Sequence, residues 1–309
     1  LRRNVALKVL PFAAVLDKQQ VSRFRNEAQA AASLHHPHIV PVYAVGCERG
    51  VHYYSMQLID GQTLEQVFEK SARTSIEKNS AIALQTTLDG IPLRLVEGAS
   101  SGRQSDSARS KTEASVNAVL PLADQSTCRG SMALASTIHS VRRYDHIENT
   151  VKLIICVADA LNFAHEQGVV HRDIKPSNLL VDSSGKVWVA DFGLARARGL
   201  ANLSVEGKVM GTARYMSPEQ IVGKPQEIDH RTDIYSLGIT LYELLTLKPA
   251  FGAIDRDKIF AAVENTDPIT PRRLNPAIAL DLETIVLKAI AKQKSERYAT
   301  AGEFAEDLR

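Results

Sequence analysis

The stretch from His171 to Gly193 constrains the fold of this chain more than any other. It reads His171-Arg-Asp-Ile-Lys-Pro-Ser-Asn178, then Leu179-Leu180-Val181, Asp182-Ser-Ser-Gly185, Val187-Trp-Val189, and finally Asp191-Phe-Gly193. Two short apolar runs on either side of a Gly-containing turn predict a β-hairpin. A hairpin draws its two ends together, so Asp173 and Asn178 before it converge with Asp191 after it. Asn178 and Asp191 supply the oxygen donors that a hard divalent cation such as Mg²⁺ takes. Asp173 is then left to accept a proton from an attacking hydroxyl, while Lys175 neutralises phosphate charge nearby. Phosphoryl transfer asks for little more than positioning, metal ions and charge stabilisation.

The flanking sequence sorts strands before that hairpin and helices after it. Val5 to Leu10 is short, apolar and β-branched, which suits a strand ended by Pro11. Val21, Phe24, Ala28, Ala31 and Ala32 recur near helical spacing within Lys18 to Leu34, and His36-Pro37 breaks that helix. Ile39 to Val45 and Val51 to Ile59 read as strands, with turn residues at Gly46 and Gly50; Gln62 to Lys70 opens a helix. From about 71 to 143 roughly a quarter of the residues are Ser or Thr, the composition of a low-complexity insertion. Order is expected again from about His146, where Val151, Ile154, Ile155, Ala158 and Leu161 mark an amphipathic helix that Gly168 can close. Ile234 to Leu245 is strongly helical, as is the stripe Leu282, Ile285, Val286, Ala289 and Ile290, with Asp281 as its N-cap. A small β-rich lobe joined to a larger helical lobe follows from that order.

Composition removes several function classes. The 309 residues carry a formal net charge of +2, so nothing global points to nucleic acid. Val151 to Ala164 is the most apolar run, but Lys152, Asp159 and Asn162 interrupt it, and it reads as a buried helix and not a membrane span. Cys47, Cys128 and Cys156 are too far apart for a zinc motif and odd in number, which favours reduced thiols in a cytoplasmic setting. His35, His36 and His38 crowd together around Pro37 without a carboxylate or cysteine at ligand spacing, so they read as a turn.

At these motifs the chain resembles the protein kinase family, over most of positions 1–70 and 144–309. Val5-Ala6-Leu7-Lys8 resembles the strand whose lysine holds the ATP phosphates, and Glu27 its helix partner. Met56 resembles the gatekeeper, and Gln57-Leu58-Ile59 the hinge whose backbone receives adenine. Ser217-Pro-Glu219 resembles the end of the activation segment, Gly211-Thr212 the substrate-docking loop, Asp233 the aspartate that braces the catalytic loop, and Arg297 the arginine paired with Glu219. His171 reads as a packed histidine against Phe192. Singly these motifs are unspecific; their joint order carries the resemblance.

The resemblance implies an α+β bilobal protein-kinase fold, with residues 1–59 as a partial N-lobe and 60–309 as the C-lobe, interrupted by the insertion at 71–143. The family's Gly-x-Gly-x-x-Gly loop and its flanking strands do not precede Lys8 in the sequence, so the domain is expected to be entered partway. It further implies ATP with Mg²⁺ or Mn²⁺ as cofactors and protein substrates bearing Ser or Thr. Lys175 with Thr212 resembles the Ser/Thr branch, and the Tyr298-Ala-Thr-Ala-Gly-Glu-Phe-Ala ending the bacterial members. Ser204, the only Ser, Thr or Tyr between Gly193 and Gly211, is the expected activating phosphorylation site, with Arg172 as its grip. Self-phosphorylation would pair two copies, and a parent protein could carry a membrane anchor elsewhere. The competing expectation is a kinase-fold scaffold without activity for want of the glycine loop. Lys8, Asp173, Asn178 and Asp191 all being present argues against it.

Overall fold

The computed structural model describes residues 4–10, 18–70, 127–192, 212–223, 225–252 and 255–309. The chain divides into two compact units, Leu1–Arg73 with Val141–Arg309, and Thr74–Ser140. Of the second unit only the helical backbone from residue 127 on is described. The rest of the expected insertion, 71–126, lies outside the described residues.

Strands β1 (Val5–Val9), β2 (Val42–Glu48) and β3 (Val51–Gln57) form an antiparallel sheet in the order β1-β3-β2. Arg49 and Gly50 join β2 to β3 with φ of 49° and 81°. Positive φ at both central residues is what a tight hairpin turn of this twist requires. Gly46, read as a turn residue, instead lies inside β2 opposite Tyr53. A Cβ there would sit 2.7 Å from the Tyr53 ring, so the glycine marks a close ring contact and not a turn. Helix α1 (Lys18–Ser33) lies against the sheet through Phe24 and Ala28, which share a small core with Leu10 and Tyr54. The rings of Phe24 and Tyr54 are 5.4 Å apart.

A second antiparallel sheet, β4 (Gly61–Thr63), β5 (Leu179–Asp182) and β6 (Val187–Val189), is ordered β4-β5-β6. It is stitched to the segment between α1 and β2. Val189 donates its N–H to the His38 carbonyl at 2.7 Å, and Val40 returns one to the Val189 carbonyl at 2.9 Å.

The helical lobe contains α2 (Thr127–Glu166), α3 (Pro218–Val222), α4 (Arg231–Thr246), α5 (Arg256–Asn265), α6 (Pro271–Leu274), α7 (Leu280–Ala289) and α8 (Ala301–Leu308). Helix α2 begins at Thr127, earlier than the expected resumption of order at His146. Met132, Ala133, Leu134 and Ala135 are strong helix formers that the Ser and Thr content obscures. Gly168, at φ 74°, closes α2 as expected. Every residue from Thr232 to Thr246 is buried, so α4 is the central post of this lobe. Each fully buried Ile or Leu on it stabilises the fold by about 1.5–3 kcal/mol. Gly238 lets α7 approach, since a Cβ there would meet Ile290 and Ala289 within 2.9 Å. Asp281 sits in the first turn of α7, whose N-cap is Ala279, so its charge faces the helix dipole without capping.

Candidate active site

The hairpin β5–β6 is fixed by one carboxylate. Asp182 accepts from the Ser184 hydroxyl at 2.6 Å, the Trp188 indole N–H at 2.9 Å, and the backbone N–H groups of Ser184 and Lys186. The Ser184 and Trp188 donors hold its carboxyl down at about 2, from an ordinary 3.8. At the open end, Ala190 donates its N–H to the Asn178 carbonyl at 2.9 Å, which brings Asn178 beside Asp191.

Asp173, Lys175 and Asn178 form a single hydrogen-bonded group. Lys175 Nζ lies 2.9 and 2.8 Å from the two Asp173 carboxylate oxygens and 3.0 Å from the Thr212 hydroxyl. Asn178 Nδ2 donates to the Asp173 carbonyl at 2.6 Å and to Oδ2 at 3.1 Å. A carboxylate has about four lone-pair sites. Lys175 and Asn178 use three on Asp173, leaving room for one more proton.

Buried α4 holds this loop from below. Asp233 Oδ1 accepts the Arg172 N–H at 2.6 Å, and Oδ2 accepts the His171 N–H and contacts His165 Nε2, both at 2.8 Å. Burial alone would raise the Asp233 carboxyl, but His165 and these donors outweigh it and hold it below its ordinary value. Arg172 and Asp191 both have positive φ, 67° and 65°. Such a conformation is rare for non-glycine residues and clusters at functional sites. His171 is fully buried, with its ring 4.6 Å from that of Phe192 and Nε2 on the Ala190 carbonyl.

Across the seam, Lys8 Nζ is 2.6 Å from Asp191 Oδ1, which the Tyr54 hydroxyl also approaches at 3.3 Å. Lys8 and Tyr54 are register partners in β1 and β3. Glu27 is on α1, but its side chain lies outside the described residues. Met56 packs against the small core under α1. The Gln57 N–H is spent on the Pro41 carbonyl at 3.0 Å, whereas the backbone groups of Ile59 make no hydrogen bond among the described residues.

Glu219 and Arg297 meet in a buried two-pronged pair at 2.8 and 2.9 Å. Ser217 is buried against the Thr232 hydroxyl. Ser204 and Gly211 lie outside the described residues. The motif reading did not single out His165, Tyr54 or Gln220; each joins the site through a partner distant in sequence.

The donor set fits a hard divalent cation. Asn178 Oδ1 and Asp191 Oδ2 take no hydrogen bond from the described residues, and two oxygens completed by phosphate and water suit Mg²⁺. No group of three or more His, Cys, Asp or Glu that could form an all-protein metal cage occurs among the described residues.

A three-stranded antiparallel sheet with one helix, set over a helical lobe with acidic and amide groups at the seam, is the bilobal α+β protein-kinase architecture. The crystal structure of the Mycobacterium tuberculosis PknI kinase domain shares this fold, with a TM-score of 0.58 at 24% identity over 98% of this chain and 84% of that one. Residues 125–306 match the protein kinase domain, and the chain belongs to the protein kinase family. It is 32% identical to serine/threonine-protein kinase PknB of Mycobacterium leprae and 32% identical to PknB of Mycolicibacterium smegmatis. Both alignments take in the whole of this chain but 39% of each relative, so it spans about two fifths of their length.

Proposed function

We propose that this chain is the catalytic domain of an ATP-dependent protein serine/threonine kinase. The observation that carries the reading is the meeting of Asp173, Lys175 and Asn178 with Asp191 and Lys8 around one hairpin. Lys8 holds the ATP phosphates with Glu27 as its partner, and Ile59 and the Gln57 carbonyl receive adenine beside Met56. Asn178 and Asp191 hold Mg²⁺, or Mn²⁺ in its place. When bound, the cation neutralises charge on the transferred group. The substrate hydroxyl oxygen attacks the γ-phosphorus, the bond to the β–γ bridging oxygen breaks, ADP leaves, and the hydroxyl proton passes to Asp173. Lys175 offsets the charge that develops on the equatorial oxygens.

The contact between Lys175 and Thr212 supports Ser/Thr substrates, because it ties the catalytic aspartate to the loop that meets the peptide. The naming of the relatives as serine/threonine-protein kinases supports it too. We assign residues 1–59 to the N-lobe and 60–309 to the C-lobe, with the insertion at 71–143. We place the domain's action on proteins in the cytoplasm. No helix among the described residues is long and apolar enough to cross a membrane.

The test uses the full-length protein with γ-labelled ATP, Mg²⁺ and a generic protein substrate. Label on Ser and Thr is the expected result. Asp173→Asn should lower kcat by at least ~10², the size of a general-base effect, and Asp191→Asn should abolish metal-dependent transfer. No transfer by the wild-type protein, or wild-type rates in either variant, overturns the reading.

A further inference from the structure

The catalytic loop is held at Arg172 from both sides of the residue. Its N–H donates to Asp233 at 2.6 Å, and its carbonyl accepts from Gln220 Nε2 at 2.8 Å. With φ at 67°, Arg172 keeps a backbone conformation that only surrounding contacts maintain in a non-glycine residue. The next peptide is the one that carries Asp173.

Gln220 is built for this contact. It is the third residue of α3, and its Oε1 accepts the Ser217 backbone N–H at 3.0 Å, the return half of a capping box. That bond fixes which end of the amide is oxygen, so the nitrogen faces the Arg172 carbonyl. The base of α3 is itself rigid. Glu219, one residue earlier, is locked to buried Arg297, and Ser217 is buried against Thr232 at the start of α4. Beside the Lys175–Thr212 contact, the Gln220 side-chain amide therefore connects the end of the activation segment to the loop that presents the carboxylate.

We propose that Gln220 is a positioning residue for phosphoryl transfer, its amide setting the Arg172–Asp173 peptide and so the placement of the Asp173 carboxylate. This rests on the assignment of Asp173 as proton acceptor made above. It adds a residue that touches neither nucleotide nor substrate. Small displacements of a reacting group lower rates steeply, whereas nucleotide binding depends on other residues.

Gln220→Glu separates the two jobs of the side chain in the full-length protein. The carboxylate still accepts from the Ser217 N–H, as glutamate does at this position in capping boxes. It has no N–H to give Arg172. The expected result is a fall in kcat of about ten-fold or more, with the KM for ATP and the melting temperature unchanged. Gln220→Met, which removes donor and acceptor without adding charge, should lower kcat as well. An unchanged kcat in Gln220→Glu overturns the proposal. So does a loss in Gln220→Glu that tracks a lowered melting temperature, because it reports capping alone. A loss in Gln220→Glu but not in Gln220→Met also overturns it, because it reports charge repulsion. Asp173→Asn, measured alongside, keeps the two readings apart. If it transfers phosphate at the wild-type rate, the role of Asp173 fails; if it is inactive while both Gln220 variants are normal, only the role of Gln220 fails.

Discussion

Arg297 grips Glu219 with two guanidinium nitrogens, at 2.8 and 2.9 Å, across 78 residues of sequence. Both side chains are almost wholly buried, and the Tyr235 ring lies 4.8 Å from the guanidinium carbon. The remaining guanidinium N–H groups go to the carbonyls of Ala291, Arg231 and Lys292, so no donor is stranded.

Removing one partner leaves the other charge buried and unpaired, which costs about 3–5 kcal/mol. Arg297→Met should lose that much in urea unfolding. The double variant Arg297→Met with Glu219→Gln should lose less than Arg297→Met alone, since no lone charge remains. Equal stability of wild-type protein and Arg297→Met would show that the pair contributes nothing.

Lys8→Met tests the N-lobe side of the site. Methionine keeps an apolar stem of similar length, so the melting temperature should hold. Phosphoryl transfer should drop by at least ~10²-fold, since a preorganised charge on the phosphates is lost. Retained activity would mean that another residue holds the phosphates.

Asp182 makes a pH-dependent contribution to the hairpin. Its folded value of about 2 lies below its ordinary 3.8, so the contribution is complete above 3.8 and disappears as pH falls through about 2. Asp182→Asn should therefore melt below wild type at pH 6, and the gap should narrow steadily between pH 4 and pH 2. A gap that is constant with pH would assign the effect to shape and not to charge.

Ser204 is the proposed activating site. A phosphoserine carries about −1.5 to −2 charges and orders a segment by one to three charge-assisted hydrogen bonds, here to Arg172. Mass spectrometry of the protein after incubation with ATP should find phosphate on Ser204, and Ser204→Ala should lower kcat several-fold or more. Full activity in Ser204→Ala would end the assignment.

What could be read in advance divides by sequence distance. His171 to Asp191 carries the chemistry in one continuous stretch, so motif and hairpin together brought Asp173, Asn178 and Asp191 to one place. Partnerships across long separations were legible only where a family pattern supplied them, as for Glu219 with Arg297. Gln220 reaches Arg172 over 48 residues, His165 reaches Asp233 over 68, and Tyr54 reaches Asp191 over 137. No periodicity or spacing encodes those meetings. Gly46 shows a different limit: a glycine placed for a neighbouring ring looks the same in sequence as one placed for a turn.

The main-chain bonds between His38, Val40 and Val189, and the pairing of β4 with β5, join residues 1–73 to residues 141–309. A chain interrupted between 74 and 126, ahead of Thr127, cuts neither these strands nor α2. The domain is in effect already written as two complementary pieces, and co-expressed halves split there have the matching strand edges needed to reassemble.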